Sequence, residues 1–193
     1  MKTSHPALIQ PKTAQRGVAA VEFALVAIPF FLPLFGAMEF GRLLYVWNTV
    51  QEVTRNAARQ AVVTDFTNVP AIDAIKRSAV FRATTTTGRV TLPAASEITN
   101  DSVKIRYLNA GGVEIIPGSM PLSPGANIAA CLDALPVPDC IRFVEVCVSA
   151  ATENTCQPVQ YAPMVNLFSF LAINIPLSTV RMPVESLGFA PDS

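Results

Sequence analysis

Histidine is almost missing from this chain. The single copy, His5, lies in a polar stretch of fifteen residues that precedes every periodic segment. That removes the commonest general base and metal ligand from any folded site. No serine sits in a G-x-S-x-G turn, and the acids of the second half, among them Asp101, Glu114, Asp133, Asp139, Glu145 and Glu153, are scattered rather than clustered. Hydrolase and metal chemistry therefore have no visible residues to carry them, and the reading is a non-enzyme without cofactor or metal. Net charge is missing too: 14 basic residues balance 14 acidic ones. With no basic patch interleaved with aromatics, nucleic acid is not an expected partner. No internal repeat is visible.

Charge is also missing locally, and there the absence is informative. From Val18 to Met38 the only ionisable side chain is Glu22. Twenty or so mainly apolar residues suffice to cross a bilayer as a helix. A charged side chain at the centre of such a helix costs roughly 2.5–3.5 kcal/mol on insertion scales, so an acid inside one invites a functional explanation. The alternative for Glu22 is a carboxylate snorkelling to the near interface. Before the run come Lys2, Lys12 and Arg16, and no acid. The positive-inside rule then places the N-terminus in the cytoplasm and the remainder across the membrane. A cleaved secretory signal fits less well, because the run exceeds a 7–15-residue signal core and contains Glu22.

These features divide the chain into a leader over 1–17, a membrane helix over 18–47 and an extracytoplasmic domain over 48–193. Pro29 and Pro33 lie four apart within the membrane helix, where each removes a backbone N–H. They predict either a kink or simply two tolerated prolines. Glu39 and Arg42 form an i, i+3 pair after the apolar run, and Tyr45 and Trp47 suit the outer headgroup region. Val50, Val53, Ala57, Ala61 and Val62 continue the helical period on one face, with Glu52, Arg55 and Arg59 on the other. One helix from 18 to 63 would be about 70 Å long.

Pro70 opens a second helix, predicted over 70–83. Beyond Gly88 the pattern turns to strands. Val103, Ile105 and Tyr107 alternate with Lys104 and Arg106, with a turn at 109–112 and a hairpin return at 113–116. Residues 117–140, with five prolines and two glycines, read as a long loop. Residues 141–149 are apolar on both faces, as a central strand is. Residues 157–164 are its expected hairpin partner, 165–175 an apolar segment for core or contact, and 178–185 a last strand. The class is α+β: a long helix, its first half in lipid, laid on a small antiparallel sheet of four or five strands.

All four cysteines, Cys131, Cys140, Cys147 and Cys156, lie beyond the membrane segment. An even number there fits disulfides in an oxidising compartment. Of three possible pairings, Cys131–Cys140 and Cys147–Cys156 close short turn-rich loops. Free buried thiols are the alternative, and the spacing is too wide for a structural zinc site.

The block RGVAAVEFALVAIPFFLPLFGAMEFGRLLYVWNTVQEVTRNAARQAV resembles the N-terminal region of TadE-like minor pseudopilins of tight-adherence (Flp-type) pilus systems, within the type IV pilin superfamily. The resemblance rests on Gly17 followed by four residues and Glu22-Phe23, on Glu39-Phe40-Gly41, and on Ala57-Ala58-Arg59. It is strong over 16–62 and weak over 176–186 (the LSTVRMPVES region). It implies a pilin-like fold. A prepilin peptidase would cut between Gly17 and Val18, with Glu22 and Phe23 as assembly and recognition residues. Glu22 would pair with the new terminus of a neighbouring subunit's Val18. Implied partners are the inner membrane, the peptidase, other pilins and pseudopilins, and the pilus assembly platform, in the service of cell adhesion. The protein would be single-pass, with its C-terminal domain periplasmic or extracellular, and would be retained in the membrane or incorporated in a pilus. The long cysteine-bearing domain departs from the very short major Flp pilins. The competing reading is an uncleaved single-pass protein with an adhesive or ligand-binding extracytoplasmic domain.

Overall fold

Forty-six residues, Arg16–Ala61, form helix α1 in the computed structural model, which describes residues 16–133, 138–150, 152, 154–164 and 170–189. Residues 1–15 of the expected leader, Glu153 and residues 165–169 of the expected apolar segment lie outside the described residues. The helix is continuous through Pro29 and Pro33. It has two regimes. Up to Met38 almost every side chain is exposed, and the most apolar window, of mean hydropathy 2.2, has none of its residues buried. From Glu39 onward one face is packed: Leu43, Val46, Val50, Val53, Ala57 and Ala61 recur at three- and four-residue spacing and are all essentially inaccessible. That face meets the central strand β4 (Phe143–Val148) and helix α2 (Val69–Ala79). Thr54, the polar residue in the stripe, is satisfied by Gln51 O at 3.0 Å and by the Ser178 hydroxyl at 3.1 Å.

Helix α2 starts where Asn68 Oδ1 accepts the Ala71 N–H at 3.1 Å and Pro70 sits in the first turn. It ends four residues short of the predicted 83. Phe81 adopts φ 57°, Arg82 N donates to Arg77 O and Phe81 N donates to Ser78 O. This left-handed stop satisfies the last carbonyls. The residue usually found there is glycine, so the stop is hard to see when it is a phenylalanine.

Among the described residues the strands form two sheets rather than one. A two-stranded hairpin, β1 (Thr91–Leu92) and β2 (Ala95–Thr99), turns at Pro93-Ala94 with Ala94 at φ 60°. β1 has only two residues and the five of β2 are not alternately buried, so the hairpin carries no alternating signal in the sequence. The main sheet is antiparallel in the order β3–β4–β5, with β3 at Val103–Leu108 and β5 at Val180–Pro183. The central place of β4 agrees with its apolar faces. Its register sets Arg106, Glu145 and Arg181 side by side across three strands, on the face away from the core. Glu145 receives Arg106 Nη1 at 3.0 Å and Arg181 Nη2 at 2.8 Å, and Arg106 Nη2 reaches Glu114 at 2.7 Å.

One further expectation holds in shortened form and two are corrected. Residues 113–116 do return beside β3, with Asn109 N donating to Val113 O and Ile115 N to Tyr107 O at 2.9 Å each, but the return is one antiparallel bridge long, Leu108 to Glu114. Asn109 Oδ1 also takes the N–H groups of Gly111 and Val113 at 3.0 Å each, which holds the turn, and Pro117 cuts the run. Residues 157–164 do not pair with β4, whose two edges belong to β3 and β5. Instead Tyr161 N donates to Ile173 O at 2.9 Å and Ile175 N to Val159 O at 2.8 Å. Pro158 and Pro163 bracket this pairing and limit it to a few bonds. The 117–140 loop contains a helix, α3 (Pro124–Leu132), capped by Ser123 Oγ, which accepts Ala126 N–H at 3.1 Å. The Ser-Pro start is a legible helix signal that the surrounding prolines obscured.

Both short-loop disulfides are present, Cys131–Cys140 and Cys147–Cys156, with Cα separations of 5.1 and 6.0 Å. The first fastens the end of α3 to the entry of β4. Asn127 reinforces it, taking the Ile141 N–H at 2.8 Å and donating to Ile141 O at 3.3 Å.

Candidate functional site

Two sets of residues on α1 stand out, one at each end of its exposed apolar half. At the start, Gly17, Val18, Glu22 and Phe23 share one helical stretch and are all exposed among the described residues. A Cβ placed on Gly17 would meet no atom within 4 Å. Val18 and Phe23 are exposed, and Glu22 makes no hydrogen bond or ion pair among the described residues. The rise from Val18 to Glu22 is about 6 Å. This places the carboxylate one turn inside the apolar run, where a neighbouring cation would relieve its cost.

At the other end the helix meets its domain through a buried polar clasp. Glu39 is the first packed residue of α1 and is 3% exposed. Its carboxylate accepts the Tyr161 hydroxyl at 2.6 Å and the Met164 backbone N–H at 3.1 Å, and lies 3.5 Å from Arg42 Nη1. Arg42, one turn on, uses every nitrogen. Nε donates to Ala94 O at 2.8 Å, Nη1 to Ala162 O at 2.7 Å, and Nη2 reaches both oxygens of Glu97 at 3.2 and 3.1 Å. The guanidinium also sits 4.7 Å over the Tyr161 ring. One cation thus binds the helix to the β1–β2 hairpin and to the 159–164 strap, with two carboxylates satisfied around it. Charge-assisted, multidentate bonding of this kind is what offsets the burial of such groups. Burial of Tyr161, reinforced by its bond to Glu39, pushes the phenol from 10.0 up to about 12 against the opposing pull of Arg42.

The Glu39–Arg42 pair was legible as an i, i+3 pair. Glu97, Tyr161 and Met164 were not, since they join it from 55 to 125 residues away in the chain. Tyr45 and Trp47, read as headgroup residues, both turn toward the domain. Tyr45 donates to Pro93 O at 3.2 Å, and Trp47 packs on the core with its indole N–H unpartnered among the described residues. The four cysteines serve as staples. Among the described residues no group of three His, Cys, Asp or Glu side chains could hold a metal ion.

Beside the clasp lies an open apolar groove of about 470 Å³. Phe35, Met38 and Tyr45 line it from the helix, and Ala94 and Met164 from the domain. A second, more polar groove of about 260 Å³ shares Arg42, Ala94 and Met164 and extends past Thr91 to Arg82.

The family model described as TadE-like protein matches residues 17–59. The match begins at Gly17, takes in Glu22 and the Glu39–Arg42 pair, and ends near the close of α1. Neither curated proteins nor solved structures yield a match.

Proposed function

We propose that this chain is a non-catalytic minor pseudopilin required for assembly of a tight-adherence pilus. A prepilin peptidase cuts it after Gly17 on the cytoplasmic side, and the domain beyond α1's apolar half stands outside the inner membrane. The observation that carries this reading is the match of residues 17–59 to the TadE-like family, which starts at the glycine itself. The surroundings of Gly17 support it. No neighbour requires the missing side chain, and glycine within a helix costs roughly 1 kcal/mol relative to alanine. A peptidase that must bring the backbone close to its own catalytic groups gives the glycine a purpose. Cutting removes Lys2, Lys12 and Arg16 and creates an ammonium at Val18. Glu22 of one subunit then neutralises that ammonium on the next, turning two costly charges into a registered pair. Other pilins, pseudopilins and the assembly platform are its partners.

The test is the mass and N-terminal sequence of the protein recovered from cells with and without a prepilin peptidase. The mature chain is expected to begin at Val18 only when the peptidase is present, and Gly17→Leu is expected to leave it uncut. A chain that still began near Met1 beside an active peptidase would remove the mechanism. Glu22→Ala is expected to be cut yet to fail in co-assembly. Normal co-assembly of that variant would exclude the ion-pair role.

A further inference from the structure

We propose that the paired grooves beside the Glu39–Arg42 clasp bind one anionic phospholipid of the leaflet at the Met38 end of the helix. The acyl chain lies in the apolar groove and the phosphate on Arg82. The inference rests on membrane insertion of α1 and not on the pilus assignment.

Depth is the first argument. Twenty helical steps from Val18 to Met38 span about 30 Å, which matches the hydrocarbon thickness of a bilayer. Met38 is therefore level with the far boundary. Phe35 lies about 4.5 Å inside it and Tyr45 about 10 Å outside it along the axis. The apolar groove, lined by these residues, runs from acyl-chain depth to headgroup depth. Met164, which closes its domain side, is 76% exposed. An exposed methionine beside Phe35 and Met38 presents a continuous apolar wall at the height where lipid is the surrounding medium.

Charge is the second argument, and it selects the headgroup. Three charged residues line the two grooves, Glu39, Arg42 and Arg82, with Glu97 behind them on Arg42. Glu39 and Glu97 are held against Arg42, and Arg42 has no nitrogen to spare. Arg82 differs. Its Nε donates to Thr91 O at 2.8 Å, which fixes the plane of the guanidinium. Its two terminal nitrogens have no partner among the described residues, and the side chain is exposed. The free charge lining the polar groove is thus one oriented cationic fork, the shape that grips a phosphate by two parallel hydrogen bonds. The two grooves adjoin through Arg42, Ala94 and Met164, so an acyl chain in the apolar one leaves its phosphate beside the polar one that Arg82 lines.

The full chain in nanodiscs of equal phosphatidylglycerol and phosphatidylcholine tests this, with retained lipid counted by native mass spectrometry after mild detergent release. One phosphatidylglycerol per chain is expected to be retained in preference to phosphatidylcholine. Arg82→Gln, at an exposed position, is expected to lower that preference about fivefold, the effect of one basic residue at an anionic surface. Met164→Asp leaves the Met164 backbone bond to Glu39 in place and is expected to abolish retention of both lipids. Equal retention of the two lipids by the unaltered chain, an unchanged ratio in Arg82→Gln, or a lipid-free oligomer with the groove covered by a second helix would each overturn the proposal. None of these readouts involves a peptidase, so failure here leaves the processing test standing, and the reverse.

Discussion

Arg42 shows how much one side chain can organise. It lies one turn past the apolar run and answers two carboxylates, two carbonyls and an aromatic ring. A neutral replacement leaves Glu39 and Glu97 buried without their cation. Breaking a buried pair from one side typically costs about 3–5 kcal/mol. Arg42→Gln is therefore expected to lower the unfolding free energy of the full chain in detergent, read from a denaturant titration, by an amount in that range. Arg42→Gln combined with Glu97→Gln is expected to recover part of the loss, since one stranded charge is then removed. Additive losses in the double variant would mean that the two residues act separately. Glycine at 17 and arginine at 42 stand at opposite ends of the same apolar segment and contrast in kind. Nothing in the fold needs the first, whereas the second is engaged on every side.

Among the elements, α1 divides into an apolar half whose side chains are almost all exposed and a half that forms the domain's spine. The C-terminal tail locks the far end of that spine. Glu185 and Leu187 both donate backbone N–H groups to Val62 O, at 3.2 and 3.1 Å, and Leu187 is buried. Gly188 makes this approach possible. Its φ is 77°, and a Cβ there would lie within 2.8 Å of three Asp65 atoms, two of them backbone. Left-handed strain in a non-glycine residue costs on the order of 1–3 kcal/mol, and the clash adds to it. Gly188→Ala is expected to destabilise the chain by at least about 2 kcal/mol. Accelerated amide exchange should follow at Glu185 and Leu187. Unchanged exchange at those two amides would show that the tail does not hold the helix end.

For the whole molecule, pH reports the coupling of helix, hairpin and strap. The Tyr161 phenol ionises near 10.0 when unfolded and at about 12 when folded. A raised acid holds its proton longer in the native state, so its contribution is complete below pH 10 and lost as pH rises toward 12. Tyr107 is shifted in the same direction, chiefly by burial. Stability is expected to fall between pH 10 and 12, with Tyr161 contributing on the order of 2 kcal/mol. In Tyr161→Phe the slope should be shallower, with Tyr107 supplying the remainder. An identical slope in the variant would mean that the strap does not close on Glu39 as drawn.

Much of this protein follows from patterns along the chain. The apolar run with its lone Glu22, the basic leader, the period of Val46 to Ala61, the alternation in β3 and β4 and the short cysteine loops are all local signals, because a helix, a strand or a small disulfide loop is set by residues close in sequence. The elements missed or misdrawn are those whose signals are weak or contradicted nearby. The β1–β2 hairpin carries no alternating signal, α3 sits among prolines, and α2 stops at a phenylalanine. What only the tertiary structure decided is who meets whom. Segments 157–164 and 178–185 both had the pattern to pair with β4, and the sheet accepted the second. Glu39 and Arg42 were visible as neighbours on one turn. That they gather Glu97, Tyr161 and Met164 at the end of the apolar segment depends on the chain's return from far away, which no local spacing encodes.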